Sequence, residues 1–495
     1  MKLFLSKLTI LMAVALCLSS CGGSTQNSLS TPPASFTIGG PISGLAGTGL
    51  VLQDNGTNNL TLSAGDTSFT FAAPIPGGTA YVVTVLTQPS NPVQNCSLSN
   101  ASGTLTADVT NIQVACVGVN EWTWEGGSGG GASGALSWTD PSGTFWLFGG
   151  QYGNNSGYYV DLNTLSQYAN GQWVNLSPST LNPGPRYGAA GWTDASGNLW
   201  LYGGFYFDYA DRGNNGPQDY LGDFWEYSAG QWTQPSASAN YPGARYGAAT
   251  WTDAAGHFWL FGGIGFSSGN ESGGAADLND LWEYKGGQWT LISAGNAVNQ
   301  PGIYGTLGTA SSSNVPGSRS AAVSWTDASG KFWLFGGVGY DSTGATGALN
   351  DLWKYSAGEW TWMNGSNLSN QAGTYGTQGT PAAGNVPGAR SGAIGWIDAS
   401  GNLWLFGGAG DGYNDFNDLW KYSAGEWTWV SGSNISNQLT VYGTQGQAAP
   451  GNIPGARSSA VSWIDTSGNL WLFGGADDND FQYGPVLGDL WMYQP

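Results

Sequence analysis

Short runs of alternating apolar and polar residues, separated by turns, occupy residues 35–118, for example at 60–62, 69–71 and 81–85. A period of two is that of a β-strand, whose side chains point alternately to opposite faces of a sheet. The pattern predicts a small β-sandwich over residues 35–118. We interpret this domain as a spacer, with an accessory binding module as the alternative.

Residues 121–495 repeat a different unit. The strand-like run Trp-Leu-Phe or Trp-Leu-Tyr precedes a Gly-Gly pair six times, and a second Trp stands eight residues before it, followed two residues later by Asp. Asp-Leu-Trp-x-Tyr or a variant comes next, and then one more Trp. Units of 54–74 residues with four short strands predict a six-bladed β-propeller. Strand a ends at Trp-x-Asp, strand b is the run before Gly-Gly, strand c is Asp-Leu-Trp-x-Tyr and strand d contains the last Trp. The Gly-Gly pairs lie at 149–150, 203–204, 262–263, 336–337, 407–408 and 474–475.

The last unit ends at Pro495, before a strand d. Residues 121–124, Glu-Trp-Thr-Trp, reproduce residues 359–362 and 426–429, which are strand d of blades 4 and 5. We therefore predict that residues 121–124 pair with strand c of blade 6. This pairing closes the propeller of residues 121–495 and removes an exposed sheet edge.

Composition excludes other classes of protein. The 495 residues include 82 Gly, with 14% aromatic and 9% charged residues. Disordered chains contain few aromatic residues, and helical bundles contain few glycines. The formal charge of -20 excludes nucleic acid as a partner, because phosphate binding requires a basic surface.

The N-terminus has the features of an export signal over residues 1–20, with an apolar run too short to span a bilayer. Residues 18–21, Leu-Ser-Ser-Cys, resemble the bacterial lipobox, which implies cleavage before Cys21 and lipidation of that residue. Secretion without lipid is the alternative. Residues 21–34 are then a flexible tether, and the resemblance to Gram-negative lipoproteins implies an outer-membrane anchor facing either side. In an exported protein we expect Cys96 and Cys116 to form a disulfide.

The Gly-Gly pair after an apolar strand, with Tyr and Trp at fixed later spacings, resembles the kelch repeat. The resemblance implies an all-β fold, namely a six-bladed kelch β-propeller preceded by the disulfide-linked sandwich. Galactose oxidase shares the kelch architecture, but its copper site needs two His ligands and a Cys-linked Tyr. The propeller has only His257, in an a–b turn, and no Cys. We therefore expect no metal site and no cofactor.

One Arg begins strand a in five of the blades, and blade 1 has Ala132 there. A ring of guanidinium groups at the channel mouth is a candidate anion-binding site. Alternatively, each Arg bonds carbonyls of the neighbouring blade and locks the ring. These residues are Arg186, Arg245, Arg319, Arg390 and Arg457.

The two faces of the propeller are expected to differ. Since neighbouring strands are antiparallel, the b–c and d–a loops share one face, called here the long-loop face, and the a–b and c–d turns share the other, the turn face. The distance from the Trp of strand d to the Arg of the next blade is 13 residues before blades 2 and 3 but 30 residues before blades 4 to 6. The d–a loops before blades 4 to 6 therefore each carry a 17-residue insertion. Long loops on a rigid scaffold commonly bind ligands, although solvated decoration is the alternative. The candidates are Tyr304, Tyr375 and Tyr442 in the insertions and Tyr206, Tyr340 and Tyr413 in the b–c loops.

Two repeated features favour structural roles. The Trp-x-Asp turn resembles the Asp box of sialidases, but its spacing differs, and we interpret the Asp as a partner of nearby backbone groups. The Trp residues are expected to fill the core between blades.

The leading functional hypothesis is a lipid-anchored, monomeric binding propeller without catalytic residues, which takes a glycan or a protein partner on its long-loop face. The first alternative is a carbohydrate-active enzyme similar to the bacterial sialate mutarotase, which is also a six-bladed kelch protein. In that case the Arg ring would hold a carboxylate of the substrate, and an acidic residue such as Glu271 would act as the base. The second alternative is a structural component of the envelope.

Overall fold

The computed structural model describes residues 34–90, 94–127, 131–153, 159–169, 171–176, 181–207, 218–236, 238, 240–268, 274–293, 297–412, 414–477 and 486–495. Cys21, Glu271 and Tyr413 lie outside these ranges. Within them, no helix is long and apolar enough to cross a membrane.

The N-terminal part is a β-sandwich of two four-stranded sheets. Leu50, Leu52, Leu105, Ile112 and Val114 lie in its core and are at most 1% exposed. The sheets consist of Ser68–Thr70, Gly39–Ser43, Gln113–Gly118 and Gln94–Ser99, and of Asn58–Leu62, Leu50–Asp54, Ala80–Thr87 and Ser102–Thr104, while Ser35–Phe36 pairs with Ile75–Pro76.

The predicted disulfide joins the sandwich strands at Cys96 and Cys116. The two residues face each other directly in the antiparallel pair of Gln94–Ser99 and Gln113–Gly118. The bridge therefore lies within one sheet and fastens two strands that are already hydrogen-bonded.

The remainder is an all-β propeller of six blades, as the repeats predict, and each blade is a meander of antiparallel strands a to d. The strands of blades 1 to 3 are Leu136–Thr139, Phe145–Phe148, Leu165–Ala169 and Gln172–Leu176; Ala190–Thr193, Leu199–Phe207, Gln218–Ser228 and Gln231–Thr233; and Ala249–Thr252, Phe258–Gly265, Ala276–Lys285 and Gln288–Ser293. Those of blades 4 to 6 are Val323–Thr326, Phe332–Phe335, Leu352–Ser356 and Glu359–Asn364; Ile394–Ile397, Leu403–Phe406, Leu419–Ser423 and Glu426–Ser431; and Val461–Ile464, Leu470–Phe473, Leu490–Gln494 and Glu121–Gly126.

Short additional strands lie at the long-loop ends of blades 1, 3 and 4. Gln151–Gly153 pairs with Tyr159–Asp161, Arg245–Tyr246 pairs with strand b of blade 3, and Val338–Tyr340 pairs with both Arg319–Ser320 and Thr346–Ala348.

Blade 6 is completed from the other end of the propeller sequence. Strand Glu121–Gly126 pairs antiparallel with Leu490–Gln494 and takes the place of strand d. Trp122 is 1% exposed and packs between Phe406 of blade 5 and Tyr493 of strand c. The two ends of the propeller thus meet in one sheet, in which strand c of blade 6 is paired on both sides.

The innermost strands close the ring around the axis, since strand a of each blade contacts strand a of the next and blade 6 contacts blade 1. Two residues after the Arg position, one residue of each blade donates its backbone N–H to the carbonyl of the preceding blade over 2.7–2.9 Å. This closed set of six hydrogen bonds, called here the belt, consists of Gly134, Gly188, Gly247, Ala321, Gly392 and Ser459.

Tryptophan fills the space between blades, as the sequence predicts. Trp192 of strand a stacks on Phe258 of the next blade with 5.4 Å between ring centroids, and its indole N–H donates to the carbonyl of Trp259. Trp251 repeats both contacts one blade later, with Phe332 and Trp333. Each contact buries a large ring and satisfies its one polar group.

Candidate functional site

The repeat arginines are not an anion-binding ring. Arg319 is 1% exposed, and its guanidinium forms a bidentate ion pair with Asp351, which opens strand c of the same blade, at 2.6 and 2.7 Å. Its remaining hydrogen bonds go to the carbonyls of Gly317 and Gly336. The alternative prediction, that each Arg side chain bonds carbonyls of the neighbouring blade, is also wrong, because the guanidinium bonds groups of its own blade. The pairs are Arg186–Asp223, Arg245–Asp280, Arg319–Asp351, Arg390–Asp418 and Arg457–Asp489.

A tryptophan completes each of these groups. The indole N–H of Trp353 donates to Asp351 at 2.7 Å, on the oxygen that also accepts from the Arg. Trp225, Trp282, Trp420 and Trp491 do the same in their blades. We call each set the Arg–Asp–Trp triad. Its charges are paired and hydrogen-bonded, and they are buried except at Asp223, whose side chain is 28% exposed, so the triad organises the blade and does not form a ring of free guanidinium groups.

The insertion tyrosines are attached to these triads. The hydroxyl of Tyr304 donates to Asp351 at 2.6 Å and that of Tyr375 donates to Asp418 at 2.7 Å. Tyr442 makes a longer contact of 3.3 Å with Asp489 and remains 40% exposed. Tyr304 is buried, and its hydroxyl is used within the protein, so Tyr304 anchors its loop. Tyr375 anchors its loop in the same way but is only half-buried, and it lines the groove described below.

Two asparagines in each insertion hold its backbone. Asn370 has a positive φ of 56° and exchanges two hydrogen bonds with the backbone of Ala348. Asn385 donates from its side chain to the carbonyls of Thr380 and Trp427. Asn299 and Asn314 make the corresponding contacts in the insertion before blade 4. The insertions are therefore fixed walls on the long-loop face.

A groove lies between two of these walls and the b–c loop of blade 5. It has a volume of about 560 Å³. Asp411 and Asn434 are exposed at its rim, and Phe416 is half-buried beside it. The Phe416 ring lies 4.3 Å from the Arg390 guanidinium, which holds the ring in place from below. The other lining residues include Gln371, Asn414 and Ser436.

Phe416, Asn434 and Gln371 were not predicted from the sequence. A groove between loops from two junctions depends on how neighbouring blades meet, and no local pattern encodes it. The predicted Tyr206 and Tyr340 are half-buried in b–c loops of blades 2 and 4 and do not line this groove.

A second group of polar and aromatic side chains lies on the same face, at blades 2 and 3. Tyr246 packs against Tyr187 and Tyr220, with 5.8 and 5.9 Å between ring centroids. Asp277 lies close enough for its charge to raise the pKa of Tyr220 and Tyr246 further, in addition to the effect of burial. Burial raises the pKa of Asp277 to about 6, and its buried Oδ1 accepts no hydrogen bond. This carboxyl group was not predicted from the sequence.

The Trp-x-Asp turns are confirmed as backbone caps. Oδ1 of Asp194 accepts from the N–H groups of Ser196 and Asn198, while Oδ2 accepts from the indole of Trp200 and the side chain of Asn198. These contacts lower the pKa of Asp194, although burial opposes them. The turn face therefore carries acids that are committed to its own turns.

His257 takes part in one such turn. Its Nδ1 lies 2.9 Å from a carboxylate oxygen of Asp253 and 3.2 Å from one of Glu283. Among the described residues, these three side chains form the one cluster whose atoms lie close enough to hold a metal ion. In the equivalent turns Asn198 and Asn402 donate to their Asp at the same point. The position of His257 is thus explained by the turn itself.

No protein-family model matches the chain, and no curated protein matches it in sequence. Solved structures resemble it in fold. One, described as "Structure of YjhT", is 15% identical, with 72% of this chain and 94% of that chain covered and a TM-score of 0.45. Another, "Novel fungal alcohol oxidase with catalytic diversity among the AA5 family, in complex with copper", is 12% identical, with 75% and 76% covered and a TM-score of 0.43. At these values the likeness concerns the propeller fold and carries no information on ligand or reaction.

Proposed function

We propose that the protein is a binding propeller that holds a glycan in the groove of blade 5, on the long-loop face. The observation that carries this proposal is the composition of the groove, in which amide, carboxylate and hydroxyl groups surround an aromatic ring. Sugars present hydroxyl groups at their edges and C–H groups on their faces. They are therefore bound by planar polar side chains together with aromatic rings.

The rigidity of the groove supports the same proposal. One wall is the insertion held by Asn370 and Tyr375, and Phe416 in the lining rests on the guanidinium of Arg390, which is paired with Asp418. A site formed before the ligand arrives loses little conformational entropy on binding. We further propose that the protein acts as a monomer and that a lipid anchor at Cys21 holds it at the outer membrane.

The test is a glycan array probed with soluble protein that begins at Gly22. We expect binding of the wild type to a restricted set of glycans, and a loss of about tenfold or more in the double variant Asp411→Ala, Asn434→Ala, because two hydrogen-bonding groups at the rim are removed. Asn367→Ala is the matched control, since Asn367 occupies the position of Asn434 in the preceding insertion and does not line the groove.

Binding that is equal in the double variant and the wild type would move the glycan site elsewhere. A protein that binds no glycan would contradict the proposal. Pull-down from envelope extracts would then test the protein-partner and structural alternatives.

An enzyme acting on carbohydrates is the second candidate, and the observation in its favour is Asp277. A half-buried carboxyl with a pKa of about 6 beside two tyrosines suits a general base near neutral pH. If the protein interconverts the anomers of an acidic sugar, Asp277→Asn would abolish the exchange measured by NMR, and the wild-type rate would rise with pH through about 6. Exchange that is unaffected in Asp277→Asn would exclude this base.

A further inference from the structure

Blade 1 differs from the other five blades at every position of the Arg–Asp–Trp triad. Strand a has Ala132 in place of Arg, and strand c has Thr164 and Ser166 in place of Asp and Trp. In strand d, Asn175 stands at the position of Trp362 in blade 4. Each replacement is smaller than the residue it replaces, and no insertion precedes blade 1 to supply a tyrosine.

These replacements coincide with a cavity of about 550 Å³ between blades 6 and 1. Ala132, Thr164 and Ser166 all line it, so the cavity occupies the region that the triad fills in the other blades. Protein interiors are close-packed, and the corresponding space between blades 2 and 3 measures only about 270 Å³, so the size of this cavity requires an explanation. Its apolar wall consists of Leu147, Trp173, Phe473 and Leu490.

A carboxyl group lines the same cavity from the closing strand. Glu125 stands where strand d of blades 4 and 5 has Met363 and Val430, so an acid replaces an apolar residue at this junction alone. Burial raises the pKa of Glu125. Burial and the charge of Glu125 together raise the pKa of Tyr168, which also lines the cavity. The cavity therefore contains an acid in a poorly solvated position.

The backbone supplies a further acceptor. In blades 2 to 6 the carbonyl of the first glycine of the Gly-Gly pair accepts from the Arg guanidinium at 2.8–3.0 Å. Gly149 is the counterpart in blade 1 and lines the cavity, but its blade has Ala132 in place of the Arg. Glu125 and Gly149 thus present acceptors to a space that holds a guanidinium in every other blade.

We propose that this cavity is a second binding site, separate from the groove of blade 5, and that it takes the guanidinium group of a ligand. Glu125 and the carbonyl of Gly149 accept its N–H groups, Ser166 and Thr164 add hydroxyls, and Trp173 and Leu147 contact its aliphatic part. The guanidinium group of the ligand takes the place that the Arg guanidinium occupies in blades 2 to 6. A guanidinium-bearing small molecule and an arginine side chain of a peptide share this chemistry.

The experiment measures binding of N-propylguanidinium to the soluble protein by NMR titration, with N-propylurea as the neutral probe of the same shape. The blocked peptide Gly-Arg-Gly distinguishes a peptide ligand from a small molecule. We expect N-propylguanidinium to bind about tenfold or more tightly than the urea, because a charge-assisted hydrogen bond is lost with the charge.

Three variants locate the site. Glu125→Gln is expected to weaken guanidinium binding about tenfold, whereas Glu121→Gln, on the same strand but outside the cavity lining, leaves it within about twofold. The triple variant Ala132→Arg, Thr164→Asp, Ser166→Trp restores the triad and is expected to abolish binding.

Equal affinity for the guanidinium and the urea would overturn the proposal, as would an unchanged affinity in Glu125→Gln. These outcomes do not depend on the triple variant being folded. They are also distinguishable from failure of the glycan proposal, since Asp411 and Asn434 lie outside the cavity lining.

Discussion

At the scale of single residues, Asp341 joins two loops of the long-loop face. Its Oδ1 accepts from the backbone and hydroxyl of Thr343 and from the backbone of Ala345, and its Oδ2 accepts from the backbone and hydroxyl of Ser369. These hydrogen bonds outweigh burial and lower the pKa of Asp341 to about 2. The charged carboxylate thereby ties the b–c loop of blade 4 to the insertion before blade 5.

This gives a pH dependence with a defined sign. Because the pKa is lowered on folding, the contribution of Asp341 to stability is complete above its ordinary pKa of 3.8 and is lost as the pH falls through about 2. We expect the amides of Thr343 and Ser369 to lose protection from hydrogen exchange over this range. Asp341→Ala should abolish that protection at neutral pH, whereas Asp411→Ala, at an exposed position in the b–c loop of blade 5, should leave its own insertion ordered.

The belt offers a test of backbone strain. Ala321 and Gly247 occupy equivalent positions, with φ of 51° and 67°. A side chain at positive φ costs about 1 kcal/mol, so Ala321→Gly should raise the free energy of unfolding by up to about 1 kcal/mol and Gly247→Ala should lower it by at least as much. Chemical denaturation measures both changes. Changes of the same sign would show that packing, and not φ, decides these positions.

At the scale of elements, the insertions are bonded to the blade they precede. Tyr304→Phe removes a 2.6 Å hydrogen bond to buried Asp351 and should cost about 1–2 kcal/mol in unfolding free energy. Tyr442→Phe removes a contact of 3.3 Å at a partly exposed ring and should cost less than about 0.5 kcal/mol. Equal costs for the two variants would contradict an anchoring role that depends on burial.

The strands and turns can be predicted from the sequence more completely than the candidate binding sites. Strands, turns and blade number are local and repeat six times, so Trp-x-Asp, Gly-Gly and Asp-Leu-Trp-x-Tyr suffice to predict them. The partner of Arg319 is not local, since Asp351 lies 32 residues further along the chain. Both residues were visible as repeated positions, and their joint replacement by Ala132 and Thr164 in blade 1 was the available signal that they belong together.

At the scale of the whole molecule, the propeller depends on the strand that joins its two ends. Trp122 fixes this strand through Phe406 and Tyr493. Trp122→Ala should cost about 3–5 kcal/mol, as for other buried aromatic truncations. It should also speed hydrogen exchange in Leu490–Gln494 more than in strand c of blade 3. Trp289→Ala, in strand d of blade 3, is the control, and an identical exchange pattern in both variants would contradict a special role of the join.

The belt also limits what crosses the propeller. Residues joined by backbone hydrogen bonds lie about 5 Å apart, so a ring of six such members, less the radii of its own atoms, leaves at its centre an opening of about 6 Å. The axis is therefore too narrow to pass a branched glycan or a folded protein. Ligands of that size reach the long-loop face only from its own side, so the protein can be attached to a sensor surface through its turn face while the long-loop face remains accessible to ligand.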